Sequence, residues 1–297
     1  MRLKTRTKIP RAPRSSLRPS RVEQTPGAAA PDTRSRPLPR AYAYVCLYAG
    51  LLAFALICLG WLPFALLLQA VLPEKPARRI GRRAITACFR LQLWMLSSLG
   101  ACRFDLSELD QLRHAGPMIL APNHPSLLDS VMIISRLPNI ACIMKAELMR
   151  NPFLGAGARL AGYIPNNNPR AMIKAACGDL REGGQLLLFP EGTRTTHSPI
   201  NPIPTTTGTI SRRAKVQVQT IIIETDSAFL AKGWPLYRCP PIPLNYRVRL
   251  GERFDPPEDN HTLSLALEGY FKEAIPTHAS SQASTQSRIS AVHHPEP

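Results

Sequence analysis

The chain divides into blocks by its pattern of apolar and polar positions. Residues 1–40 mix basic, proline and small polar residues with no apolar period. They read as a disordered basic tail. From Ala41 to Leu72 run thirty-two residues without a charge, AYAYVCLYAGLLAFALICLGWLPFALLLQAVL. More than about 18 such residues predict a membrane segment. As one straight helix the stretch would be about 48 Å long, longer than a roughly 30 Å bilayer core and too short for two full spans. The alternatives are a single span with an overhang or a re-entrant hairpin. A hairpin would bend near Gly60-Trp61-Leu62-Pro63, where proline breaks helices.

Residues 73–100 predict a basic amphipathic interfacial helix. Ile80, Ala84, Ala87/Cys88, Leu91, Met95 and Leu99 recur at spacings of three and four. Arg79, Arg83, Thr86 and Arg90 form another face, with Arg82 beside them.

From residue 101 the pattern changes to short apolar runs alternating with helical periods. Pro117–Pro122, Ile140–Met144, Gln185–Phe189, Val216–Glu224 and Tyr246–Leu250 read as strands. Leu127–Leu137, Met149–Leu160 and Arg170–Arg181 read as helices, the last stopped by Gly183-Gly184. Strands separated by helices predict an α/β fold: a mixed, mostly parallel sheet flanked by helices. The expected organisation is a tail (1–40), a membrane segment (41–72), an interfacial helix (73–100), a catalytic domain (101–275) and a Ser-, His- and Pro-rich disordered tail (276–297).

Composition narrows the class. The chain has 297 residues and a formal charge of +17. Residues 1–40 hold net +9, residues 73–100 net +5, and residues 101–297 only net +3. The charge therefore flanks the uncharged stretch and points to an anionic membrane surface. A nucleic-acid binder is disfavoured. Residues 1–40 contain no aromatic residue for base stacking, and no helix-turn-helix or zinc spacing occurs. Seven scattered cysteines include no C-x-x-C pair, so a zinc ribbon or disulfide scaffold is not expected. No metal site is expected either, since the histidines lack ligand-spaced partners.

Two constellations carry chemistry. The first is Asn123-His124-Pro125-Ser126-Leu127-Leu128-Asp129, after an apolar strand and at the start of a helix. On one continuous helix His124 and Asp129 would point about 140° apart. They meet only if His124 lies in the loop and Asp129 in the first helical turns. Asp129 would then orient the imidazole and leave its other nitrogen as a base. The second is Leu186-Leu187-Leu188-Phe189-Pro190-Glu191-Gly192-Thr193-Arg194. Gly192 permits close backbone approach, Arg194 suits an oxyanion, and Glu191 can orient a hydroxyl or hold Arg194.

NHPSLLD followed by FPEGTR resembles the first and third motifs of the lysophosphatidate (1-acylglycerol-3-phosphate) acyltransferase family. Lys145-Ala146-Glu147-Leu148, Pro152-Phe153-Leu154-Gly155 and Gly162-Tyr163-Ile164 between them also fit. The resemblance covers about residues 100–255. It implies transfer of an acyl chain from a thioester, acyl-CoA or acyl carrier protein, to a lipid hydroxyl in phospholipid biosynthesis. His124 would be the general base and Asp129 its orienting partner, while Glu191, Gly192, Thr193 and Arg194 would bind substrate. It implies no cofactor beyond the acyl donor as co-substrate; the basic flanks of residues 41–72 predict a place at the cytoplasmic face of the inner membrane.

The sequence departs from the family at acceptor recognition. Asn168 stands where the second motif carries a phosphate-binding arginine, with Arg170 two residues on. Thr205-Thr206-Thr207-Gly208 replaces a Phe-Lys-x-Gly run. Gln217 and Thr220 replace fourth-motif prolines. A divergent acceptor is therefore expected. The competing readings are a non-catalytic membrane scaffold of the same fold and a basic nucleic-acid-binding membrane protein.

Overall fold

The computed structural model describes residues 39–275. The two expected tails lie outside the described residues, apart from Pro39 and Arg40. The element order begins with two long helices, α1 (Arg40–Val71) and α2 (Glu74–Ser98). After them come strand β1 (Cys102–Asp105), a 3-10 turn (Ser107–Leu112), β2 (Ile119–Pro122), α3 (Leu128–Arg136) and β3 (Ile140–Met144). Helices α4 (Ala146–Arg150) and α5 (Pro152–Leu160), strand β4 (Ile164–Pro165), α6 (Pro169–Arg181) and β5 (Gln185–Leu187) follow. The chain ends with α7 (Thr206–Ala214), β6 (Val218–Thr225), β7 (Leu244–Phe254) and α8 (Asn260–Ala274).

The seven strands form one sheet in the order β1-β7-β6-β2-β5-β3-β4. All neighbours are parallel except β6 and β7. The fold is thus the mixed, mostly parallel α/β sheet flanked by helices. β2 and β5 are buried at every residue and, Gln185 aside, apolar, as suits central parallel strands covered on both faces. The core has one layer on each side of the sheet, one around Met132, Ile133 and Leu120, the other around Leu180, Leu186 and Phe271.

The strand order places the ends of three neighbouring parallel strands together. β6, β2 and β5 point the same way, so the loops after Thr225, Pro122 and Leu187 open on one edge. In open α/β sheets this carboxyl edge is where ligands bind.

Several expectations need revision. The helix expected over Met149–Leu160 is two helices, α4 and α5, because Asn151 caps the second. Its side chain accepts from the backbone N–H of Phe153 (2.9 Å) and Leu154 (3.1 Å), with Pro152 in the first turn. That cap supplies the donors' partners and ends the preceding helix.

The uncharged stretch is one helix, and the bend considered at Gly60–Pro63 is not present: Pro63 lies inside α1. Nor does α1 stand clear of the body. Near its start Tyr42 Oη donates to Leu99 O (2.8 Å), midway Gln92 Nε2 donates to Gly50 O (3.0 Å), and near its end Gln69 Nε2 donates to Ala156 O (2.6 Å). Small residues Ala43, Cys46, Gly50 and Ala65 form the packed face. Leu52, Leu56, Leu59, Phe64 and Leu67 are exposed.

In α2 a face other than the apolar stripe expected at a membrane interface packs on the body. It comprises Ala77, Gly81, Arg82, Ile85, Thr86, Gln92 and Leu93. Gly81 permits this approach: a Cβ there would lie 2.7 Å from Ala161 N. Arg82, expected with the basic face, is buried. It ion-pairs with Asp179 and donates from Nε to Ala161 O (3.0 Å). Ile80, Leu91 and Trp94 are exposed instead. Arg79 and Arg83 keep the predicted exposed basic character.

Candidate active site

β2 ends at Pro122 and its loop enters α3 at Leu128. Asn123 fastens this loop to β6. Its Nδ2 donates to Ile223 O (3.0 Å), and its Oδ1 accepts from Ile223 N–H (2.7 Å). His124 therefore lies in the loop and Asp129 in the first turn of α3, the arrangement that lets the two meet. His124 Nδ1 is 2.8 Å from Asp129 Oδ2. A carboxylate only accepts, so Nδ1 carries the proton and Nε2 presents a free lone pair.

The same Oδ2 accepts from the backbone N–H of Ser126 (2.8 Å). Asp129 is fully buried while His124 retains 15% side-chain exposure. Burial raises the Asp129 pKa to about 6, against the downward pull of His124 and of the Ser126 N–H. The carboxylate is still charged at neutral pH and can stabilise an imidazolium beside it. Asp129 Oδ1 is buried with no hydrogen-bond partner.

β5 lies next to β2, and its loop carries the second constellation to the first. Phe189 stacks on the His124 imidazole with centroids 3.7 Å apart and planes at 19°. Glu191, almost wholly buried, is an internal crosslink. Oε1 accepts from His124 N–H (3.1 Å) and Thr195 Oγ1 (2.7 Å), and Oε2 accepts from Asn201 N–H (2.9 Å). Thr195 N–H closes the link on His124 O (2.8 Å). Gly192 adopts φ +69° with open space around its absent Cβ. Its conformational freedom is what this turn uses, since a left-handed φ disfavours other residues. Thr193 is exposed.

Arg194 is partly buried, and its Nη1 donates to two backbone carbonyls, Leu230 O and Ala231 O, both at 2.9 Å. These belong to the loop between β6 and β7, the third to open on this edge. The sequence reading missed this loop. Its length, eighteen residues between Thr225 and Leu244, was the available signal, since long loops in compact domains are commonly functional. Phe189 as a partner of the imidazole was also missed, as was Asn201 as a partner of Glu191.

Of the second-motif departure, Asn168 is used as a helix cap: its Oδ1 accepts from Ala171 N–H (3.1 Å) at the start of α6. Arg170 is exposed on α6. Thr206, Thr207 and Gly208 lie in α7.

Beside the dyad lies an apolar cavity of about 450 Å³. α1, α2, the start of α3, α5 and the β6–β7 loop enclose it, with Phe54, Phe89, Leu127, Leu128, Phe229 and Leu230 among its walls. That size suits a small lipid-like ligand. Leu127 and Leu128 lie between His124 and Asp129, so the cavity reaches the dyad's own loop.

Residues 103–224 match the family model described as Acyltransferase. More particularly, the relatives support assignment to the lysophosphatidate acyltransferase-like family. A 1-acyl-sn-glycerol-3-phosphate acyltransferase from Pseudomonas aeruginosa is 25% identical over 42% of this chain and 50% of the relative. A chloroplastic one from Brassica napus is 27% identical over 63% of this chain and 54% of the relative. One from Helicobacter pylori is 32% identical over 39% of this chain and 47% of the relative. The chain thus spans about half the length of the curated relatives it matches. Among solved structures, the 1-acyl-sn-glycerophosphate acyltransferase PlsC from Thermotoga maritima superposes with a TM-score of 0.58. It covers 78% of this chain and 95% of its own at 18% identity, a likeness of fold.

Proposed function

We propose that the protein is a membrane-associated O-acyltransferase that moves an acyl chain from a thioester to a lipid hydroxyl. The observation that carries this is the 2.8 Å His124–Asp129 contact beside an apolar cavity. His124 Nε2 takes the acceptor hydroxyl's proton as its oxygen attacks the thioester carbonyl. The C–O bond forms, the C–S bond breaks, and the imidazolium returns its proton to the leaving thiolate. Asp129 stabilises the charged imidazolium between these steps. A thioester is reactive enough that no protein nucleophile is required, and general-base help of this kind is worth about 10² to 10⁴ in rate. The cavity takes the acyl chain. The donor is an acyl-CoA or an acyl carrier protein, and no other cofactor enters.

The acceptor differs from lysophosphatidate in its head group. Two positions support this. Asn168 carries no charge and its Oδ1 caps α6, so the second-motif position offers no cation, and Arg194 Nη1 is engaged by two backbone carbonyls, which removes one of its donors from a phosphate. A hydroxylated lipid or hydroxyacyl intermediate fits the family chemistry without a phosphate clamp.

The membrane association follows from α1 and α2. Both ends of α1 are tied to the body, while Leu52, Leu56, Leu59 and Phe64 face outward. A helix so tied lies along the membrane surface with its apolar face in the lipid, rather than crossing it. The basic flanks on either side of the apolar stretch suit an anionic leaflet, which supports a location at the cytoplasmic face of the inner membrane.

Thiol release from a panel of acyl-CoA and acyl carrier protein thioesters tests the reading. Activity is expected with an acceptor other than lysophosphatidate and lost in His124→Ala, which stays folded and floats with anionic vesicles. Retained transfer in that variant refutes the base assignment, and efficient acylation of lysophosphatidate refutes the divergent acceptor.

A further inference from the structure

Three consecutive carbonyls of the β6–β7 loop are held by the two catalytic motifs. Phe229 O accepts from Ser126 Oγ (3.0 Å). Leu230 O accepts from Leu127 N–H (3.2 Å) and from Arg194 Nη1 (2.9 Å). Ala231 O accepts from the same Nη1 (2.9 Å). Ser126 and Leu127 belong to the His124–Asp129 loop, and Arg194 to the loop after β5. The two motifs thus close on one tripeptide of a third loop.

That tripeptide is held in a costly conformation. Leu230 has φ +59°, the left-handed region that a leucine enters at a cost of roughly 1–2 kcal/mol. Such strain persists only where surrounding contacts over-determine it, and here the three donors do so. Its consequence is visible in the cavity. The φ value sets the direction of the Leu230 side chain, and Leu230, with Phe229 before it, forms part of the cavity wall. The remainder of the loop is braced separately: Phe229 packs edge-on against Trp234, centroids 6.0 Å apart, and Trp234 Nε1 donates to Arg238 O (3.0 Å).

We infer that Leu230 is a specificity-determining wall of the acyl cavity, and that Arg194 is a positioning residue that holds it there. Arg194 therefore shapes which acyl chain enters beside the His124–Asp129 dyad, by fixing backbone rather than by touching the chain. A change in the wall by a few methylene groups alters discrimination between chains by roughly 10-fold or more. The inference rests on the acyl-transfer reading of the site and names the part of the chain that selects its donor.

The test uses the full chain in its membrane and a series of straight acyl-thioesters of increasing length, with thiol release as readout. Leu230→Ala widens the wall and is expected to shift the optimum toward longer or bulkier chains. The ratio of kcat/KM for long over short donors should rise about 10-fold. Leu230→Gly, which adopts φ +59° without strain, shifts it in the same direction and guards against misfolding of the alanine variant. Arg194→Ala is expected to change the chain-length profile too, and its effect combined with Leu230→Ala should be clearly less than additive. Unchanged chain profiles in both Leu230 variants overturn the wall assignment. Additive effects, or an Arg194→Ala variant that raises only the acceptor KM, overturn the positioning role. No thiol release from the unaltered protein with any thioester would refute acyl transfer itself, a result distinct from either.

Discussion

The Phe189 ring lies flat on the His124 imidazole, centroids 3.7 Å apart and planes 19° from parallel. The contact comes from the loops that follow neighbouring strands, the one after β5 supplying the phenyl ring and the one after β2 the imidazole. Together with Asp129 it fixes the ring in two directions: the carboxylate holds the edge at Nδ1 and the phenyl ring covers one face. Phe189→Leu keeps apolar volume but removes the planar surface. The expected result is a fall in kcat of roughly 10- to 100-fold from misplacement of the base, with the donor KM little changed. Steady-state kinetics on the purified protein checks this.

The burial of Asp129 predicts the acid side of the pH profile. Its carboxyl is raised to about 6 by burial. Below that value it is protonated and no longer stabilises the imidazolium, so kcat/KM should rise with pH and level off above about 6. The effect on folding has the opposite sign. A carboxyl raised in the folded state favours folding below its ordinary value of 3.8, and that advantage is lost as pH rises through about 6. Activity lost between about pH 6 and 4 should therefore return on neutralisation, with circular dichroism unchanged throughout. Loss of secondary structure in step with activity would contradict this.

Glu191 links the two motifs through both oxygens. Glu191→Gln places an amide NH₂ where one of these oxygens accepts from a backbone N–H, His124 N–H or Asn201 N–H. A loss of about 1–3 kcal/mol in unfolding free energy is expected, with a drop in rate because the crosslink between the His124 loop and the loop after β5 is broken at one end. Chemical denaturation and kinetics on the same preparation measure both.

A buried ion pair is one of the contacts that attach α2, beside Arg78, which reaches Asp179 (3.7 Å) and Glu182 (3.2 Å). Arg82 and Asp179 are 5% and 7% exposed, so removing one partner leaves a buried charge. Arg82→Ala should cost about 3–5 kcal/mol, whereas a joint Arg82→Met and Asp179→Leu replacement should recover most of it. Gly81→Ala tests the same contact sterically, because the added Cβ would meet the Leu160–Ala161 backbone. A loss of about 1–3 kcal/mol is expected. Thermal unfolding of the three variants orders them.

Much of the α/β body was legible because its signals are local. β3 spans Ile140–Met144 as the apolar run predicts, and α6 stops at Arg181 before Gly183-Gly184. Elements with weak local signals were not found. β1 and β4 are short edge strands that exist by pairing, and α7 is built from Thr206-Thr207-Gly208-Thr209, residues of low helix propensity. In α2 the periodicity marked an apolar stripe suited to a membrane interface, and its members Ile80 and Leu91 are exposed, but it did not reveal which face meets the body. Burial there follows from the small size of Gly81 and Ala77 and from a partner for Arg82, neither of which hydrophobic periodicity registers.

By itself, the sequence determined which chemistry was available: a His and an Asp five residues apart across a strand-to-helix turn, and a second polar loop after an apolar strand. These are local properties of residue type and spacing. The tertiary structure decided how they are used. Placing β6, β2 and β5 side by side brings three distant loops to one edge, and hydrogen-bond donors there take whatever acceptors that geometry supplies. Thus Arg194, a natural oxyanion ligand by its chemistry, holds the carbonyls of Leu230 and Ala231. Likewise an uncharged helix long enough to cross a membrane is fastened along the body, because Tyr42, Gly50 and Gln69 find partners in the fold that no one-dimensional pattern contains.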